Sequence, residues 1–155
     1  MIRKPRPITL VATAVCALAL VVGVAGCGGD DSNQFREDYN AAVENLTEIN
    51  SEIGSATAGG AGQSNAAIAK ELDEIADAAD TARGEIADLD PPEDAKQEFD
   101  KLLAALDTGV DDLRSMATAA KSGDSAQAQT AAQELVKSGQ QITAAENALK
   151  TAVDG

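Results

Sequence analysis

The residue types in this chain narrow the chemistry it can perform. It has no histidine and only two cysteines, Cys16 and Cys27. A serine or cysteine nucleophile activated by histidine cannot be assembled, and a lysine-based variant needs a buried lysine. The lysines fall off the apolar positions. Lys70 precedes Glu74, and Lys150 follows Glu146, at the four-residue spacing of surface ion pairs worth roughly a few tenths of a kcal/mol. Di-iron sites in helical proteins need Glu-x-x-His on two helices, and haem needs a His, Met or Cys ligand. Met116 is the only methionine after Met1, and it lies on an apolar stripe where it reads as core. No cofactor is expected.

What remains is carboxylate chemistry. Glu44, Glu48 and Glu52 form a like-charge ladder; Glu71, Asp73, Glu74, Asp77 and Asp80 make a second acidic face, and Asp107, Asp111 and Asp112 a third. These faces suit a weak Ca²⁺ or Mg²⁺ site or a dock for a basic partner, but the plainer reading is a solvated surface. None has the D-x-[DN]-x-[DN]-G loop, and ligands along one helix are too far apart to wrap calcium, so no metal site is expected. Two carboxylates hydrolyse a glycosidic bond only within a cleft that binds sugar and raises one pKa. A small alanine-packed domain with Phe35, Tyr39 and Phe99 as its only aromatics offers no such cleft, and no enzyme is expected. Gly109 and Ser138 interrupt two apolar stripes. They predict a close helix contact at Gly109 and a Ser138 hydroxyl bonded to its own i−4 carbonyl, in preference to a gap for an apolar ligand.

Cys27 stands apart from these side chains. Residues 1–9 carry Arg3, Lys4 and Arg6 and no acid; every residue from Ile8 to Val24 is apolar, small or threonine. The run ends on Val24-Ala25-Gly26-Cys27 and turns polar at Gly28-Gly29-Asp30-Asp31-Ser32. A positive start, an apolar middle and a small-residue cleavage site describe a secretory signal. The last four residues resemble the lipobox of bacterial lipoproteins: a branched apolar residue, two small ones and a cysteine. That resemblance implies cleavage before Cys27, a thioether to diacylglycerol on its sulfur, and membrane attachment through the acyl chains. Two chains hold stably, because each buried CH₂ contributes about 0.8 kcal/mol. The alternative is an uncleaved membrane helix, for which the apolar run of about 17 residues is at the lower limit. Cys16 is then simply a small apolar residue of the leader. The domain reading is a signal peptide over 1–26, a lipidated cysteine and tether over 27–32, and a helical domain over 33–155.

The 12 basic and 26 acidic residues give a formal net charge of −14. Removing the three positives of the leader leaves nine against 26, a net of −17. Nucleic acid is excluded as a partner, since phosphate binding needs a basic surface. Anionic headgroups should repel the domain, so that it stands off its membrane.

Four stretches beyond the tether share one periodicity. Phe35, Tyr39, Ala42, Leu46, Ile49 and Ile53 recur at alternating four- and three-residue steps. So do Ile68, Leu72, Ile75, Ala79, Ala82, Ile86 and Leu89; Phe99, Leu102, Leu106, Gly109, Leu113, Met116 and Ala120; and Ala131, Leu135, Ser138, Ile142, Ala145, Leu149 and Ala152. Each is the stripe of an amphipathic helix, and nothing alternates with period two. The glycine-rich run from Gly54 to Gly62 predicts a break, with Ser64 or Asn65 capping the next helix. Asp90-Pro91-Pro92-Glu93 predicts an N-cap at Asp90, Pro91 as first helical residue and a capping box closed by Glu93. Ser122-Gly123-Asp124-Ser125 predicts the last turn. Helices are therefore expected over 33–53, 64–89, 91–121 and 125–153. Short connections make sequential helices antiparallel, which predicts an all-α, up-down-up-down four-helix bundle with coiled-coil-like Ala/Leu packing. A three-helix body with a loosely docked first helix is the structural alternative. The functional expectation is a non-catalytic, lipid-anchored protein on the outer face of a cell membrane. Its helices would contact another protein or the cell wall, with a basic envelope protein as the partner that charge favours; the alternative is a bundle that binds a lipid or other apolar ligand.

Overall fold

Local side-chain chemistry sets most of the helix ends. The computed structural model describes residues 30–59 and 63–155; Val24, Ala25, Gly26 and Cys27 lie outside them. The helices are α1 (Asp30–Gly59), α2 (Asn65–Ala87), α3 (Lys96–Ser122) and α4 (Ser125–Asp154), with one 3₁₀ turn at Glu93–Ala95. Ser64 caps α2, its side chain accepting from the Ala67 N–H at 3.2 Å. Asp124 caps α4, accepting from the N–H groups of Ala126 and Gln127 at 3.0 and 3.1 Å. Between α3 and α4 the chain reverses at Gly123 with φ 68°, the left-handed geometry that glycine adopts without strain. A Cβ there would also come within 2.8 Å of Asn65 Nδ2 at the start of α2, an exposed side chain that would have to turn aside.

Two boundaries depart from expectation. The Asp90 cap and capping box do not form: Pro92 is the N-cap residue, with ψ 148° and no side-chain cap bond, and a 3₁₀ turn precedes α3 at Lys96. The second proline explains this, because a residue before proline is disfavoured in the helical region, and so Pro91 cannot open a helix. Glu93 pairs instead with Lys96 at 2.6 Å. The second departure is α1, which begins at Asp30, inside the expected tether, and runs on to Gly59. Ser55, Ala56 and Thr57 are not helix breakers, and Ala56 is buried against α2, so packing carries the helix through a stretch read as a break.

Each helix packs on the next, giving an all-α, up-down-up-down four-helix bundle with no strand among the described residues. The first helix is part of the core, contributing Phe35, Ile49 and Ala56. At the end where α1 starts, Phe35, Ile86, Phe99, Leu102, Leu106, Leu149 and Val153 are buried together, one or more from each helix. At the opposite end Ile49, Leu72, Ile75, Val110 and Leu113 are buried among Ala56, Ala76, Ala79, Ala82 and Ala117. Gly109 sits where α3 meets α4, and a Cβ there would lie 3.2 Å from Ile142 Cδ1, the expected close contact. Ser138 is buried on α4, and its hydroxyl donates to the Leu135 carbonyl at 3.0 Å, three residues back rather than the expected four. Met116 is half-buried against the alanine-rich cluster, as a core residue.

Candidate functional site

The surface is acidic, and the acids divide into paired and unpaired faces. Between α2 and α3, Arg83 grips Asp107 with two contacts, Nε at 2.7 Å and Nη2 at 3.0 Å. Arg114 reaches back from α3 to Asp80 at 3.0 Å and Asp77 at 3.7 Å. Three of the eight acids read on the second and third helices, Asp77, Asp80 and Asp107, are therefore part of a staple between them. The α1 ladder differs: Glu44, Glu48 and Glu52 are all exposed, and none enters an ion pair. Among the described residues no group of three or more His, Cys, Asp or Glu side chains converges as a metal would require.

Two depressions mark the surface. A groove of about 520 Å³ lies between the second half of α3 and the first half of α4, with Arg114 flanked by Asp111 and Glu134 and the hydroxyls of Ser115, Thr118 and Thr130. Thr118 and Thr130 donate to the carbonyls of Arg114 and Ala126, four residues back, so neither has its proton free for a ligand. The other depression, about 270 Å³, lies at the opposite end between the start of α1 and the end of α2. Asp38, Asp88 and Asp90 rim it and Phe35 forms its floor. Both open to solvent and carry the charge of their acids. Neither brings together a nucleophile with a base.

The most unusual polar chemistry lies where α1 meets α4. Arg36 donates through Nη2 to the Val153 carbonyl at 3.0 Å and pairs with Asp154 at 2.6 Å, its side chain only 16% exposed. One turn later, the Tyr39 hydroxyl is buried without a hydrogen-bond partner. Burial, and then the charge of Glu146 on α4, push the phenol well above its ordinary pKa. Burial also raises the Glu146 carboxyl. The sequence-level pairing of Glu146 with Lys150 does not form, whereas that of Lys70 with Glu74 does, at 2.5 Å. On α4 Leu149 and Val153 are buried, the expected Ile142, Ala145 and Ala152 pack partly buried against the same cluster, and Glu146 is half-buried on that face. The signal was present in the spacing, since 146 is four residues from Ile142 and three from Leu149.

The one modification site read from the sequence, Cys27 with Val24, Ala25 and Gly26 before it, falls outside the described residues. No described helix is long and apolar enough to cross a membrane. No family model, curated protein or solved structure matches this chain.

Proposed function

We propose that this chain is a lipoprotein of a bacterial cell envelope, held on the outer face of a membrane by diacylglycerol on Cys27, with the bundle as a non-catalytic interaction module. One observation carries the reading: the run Val24-Ala25-Gly26-Cys27, preceded by a basic start and an apolar stretch, ends three residues before α1 begins at Asp30. Three extended residues span at most about 10 Å, so the anchor stays close to the aromatic end of the bundle. The opposite end then projects outward by the length of α1, whose 30 residues span about 45 Å. The acidic surface supports this orientation, because repulsion from anionic headgroups favours a bundle that stands off the membrane. It also favours a basic envelope protein as the partner, drawn in by charge complementarity.

The chain expressed in a bacterium should partition with membranes and incorporate labelled fatty acid, and Cys27→Ala should abolish the label. Label persisting on Cys27→Ala, or an N-terminus remaining at Met1, would end the reading. For the partner, cross-linking should capture an envelope protein whose yield falls as ionic strength rises, since exposed charges are screened beyond about 10 Å at 0.1 M salt. A stoichiometric lipid retained in the bundle in native mass spectrometry would favour a carrier of apolar ligands instead.

A further inference from the structure

The four helices are not equally joined. The backbones of α2 and α3, and of α3 and α4, run close together; α1 runs less closely beside α2 and scarcely approaches α4. Of the buried apolar side chains, all but Phe35, Ile49 and Ala56 lie outside α1. Charge also works against its docking. Arg36 is the one basic residue of α1, beside seven acids, while the chain after Cys27 and outside α1 carries eight bases and 19 acids. Bodies of net charge −6 and −11 repel each other. That single cation is the tie: Arg36 donates through Nη2 to the Val153 carbonyl at 3.0 Å and pairs with Asp154 at 2.6 Å. We propose that α1 is a strap over a three-helix body, clasped at Arg36: the clasp holds α1 to the end of α4, and opening it frees α1 while α2, α3 and α4 stay folded.

The clasp meets a need of each helix. The last carbonyls of a helix have no partner within it, and its C-terminus favours a positive charge. The last turn of α4 has no basic residue and ends on Asp154, an acid where the helix dipole disfavours one. Arg36 supplies both the donor and the cation from α1. In return α1 gains the one ion pair it makes among the described residues. Its bond from Asn45 Nδ2 to Glu85 on α2, at 2.9 Å, is exposed, so water competes for both groups. Opening is not opposed throughout. The Arg36 Nε–H is buried without an acceptor, and release returns it to water. Release also uncovers the two clusters that α1 helps to close, Phe99 edge-on to Phe35 among them. The clasp depends on nothing attached to Cys27.

Hydrogen exchange of the full chain in a non-ionic detergent, read amide by amide, tests the strap. Amides from Tyr39 to Leu46 should share one protection factor, well below that of central α3 amides, as a unit that opens by itself does. Arg36→Ala should lower that shared value by about tenfold or more, the loss expected for charge-assisted bonds, and should also fray the last two turns of α4. Central α2 and α3 amides should stay level. Asp154→Asn, which keeps the bond to the Val153 carbonyl, should have a smaller effect of the same kind. Asn45→Ala should loosen α1 less than Arg36→Ala does and leave the end of α4 unchanged. Three results would overturn the proposal: wild-type α1 protected as strongly as central α3, Arg36→Ala lowering α1 and α3 by the same factor, or Arg36→Ala leaving α1 protection unchanged.

Discussion

The two ends of the bundle are built from different residues, although the helices run continuously between them. At the end where α1 starts, the buried cluster holds Phe35, Phe99, Ile86, Leu102, Leu106, Leu149 and Val153, with Ala95 its single buried alanine. Phe35 stacks on Tyr39 and meets Phe99 edge-on, with interplanar angles of 22° and 78°. Such pairs are worth about 0.5–1.5 kcal/mol beyond their area. At the other end five of the ten buried residues of the cluster are alanine, and α4 contributes the half-buried Leu135 with the small buried side chains Ala131 and Ser138. There Arg114 joins α3 to α2 through Asp80, and α4 leaves Val136 as the one large exposed hydrophobic side chain of the described surface. Large side chains hold four helices together at a distance; small ones bring neighbouring helices close. The aromatic end is thus where stability concentrates, while the alanine end depends on fit and on its turns.

This contrast predicts a ranking of substitutions, measured by urea denaturation of the helical domain. Leu106→Asp should have the largest effect, a loss of more than about 4 kcal/mol, because it buries an unpaired charge among the leucines and phenylalanines. Phe99→Ala at the same end should cost about 3–5 kcal/mol. Ala76→Gly at the alanine end should cost about 2 kcal/mol, the helix-propensity difference plus one buried methyl group. Similar losses for these two would show that the ends are energetically alike. Gly123→Ala should cost about 1 kcal/mol or more, since it forces a side chain into the left-handed region and against Asn65. Gly84→Ala should have the opposite sign, a gain of about 0.5–1 kcal/mol, because a Cβ there meets nothing within 4 Å. The smallest effect should come from exposed Asp111→Ala, within about 0.5 kcal/mol either way.

Much of the fold was legible because each apolar stripe repeats at helical spacing with polar punctuation between stripes. Phe35, Leu72, Ile75, Ile86, Phe99, Leu102, Leu106, Leu113 and Leu149 are all buried where the stripes placed them. Ser64 and Asp124 cap as short polar side chains before helices do. Less was legible where two local rules competed. At Pro91-Pro92 the preference of proline for a first helical position lost to the restriction a following proline imposes. At Ser55-Ala56-Thr57 the glycines nearby suggested a break, yet burial of Ala56 on α2 outweighed them. Buried alanines at 69, 76, 117 and 119 escaped notice because alanine is equally at home on either face of a helix.

The sequence by itself determined the helical class, the number of helices, the antiparallel order imposed by short connections, and the absence of histidine and of thiols after Cys27. It also holds the run Val24-Ala25-Gly26-Cys27, which lies outside the described residues. Only the tertiary structure decided how far each helix rotates about its own axis. Periodicity defines a stripe, but a stripe a residue wide on either side leaves its edges undetermined until neighbouring helices choose which edge to cover. On α4 that choice buried Val153 more fully than Ala152 and left the Glu146 carboxyl half-buried without the expected ion pair to Lys150. Packing of α1 on α4 also brings Arg36 against the last turn of α4. Contacts between residues more than a hundred positions apart leave no trace in local spacing, because they depend on the packing of all the helices together.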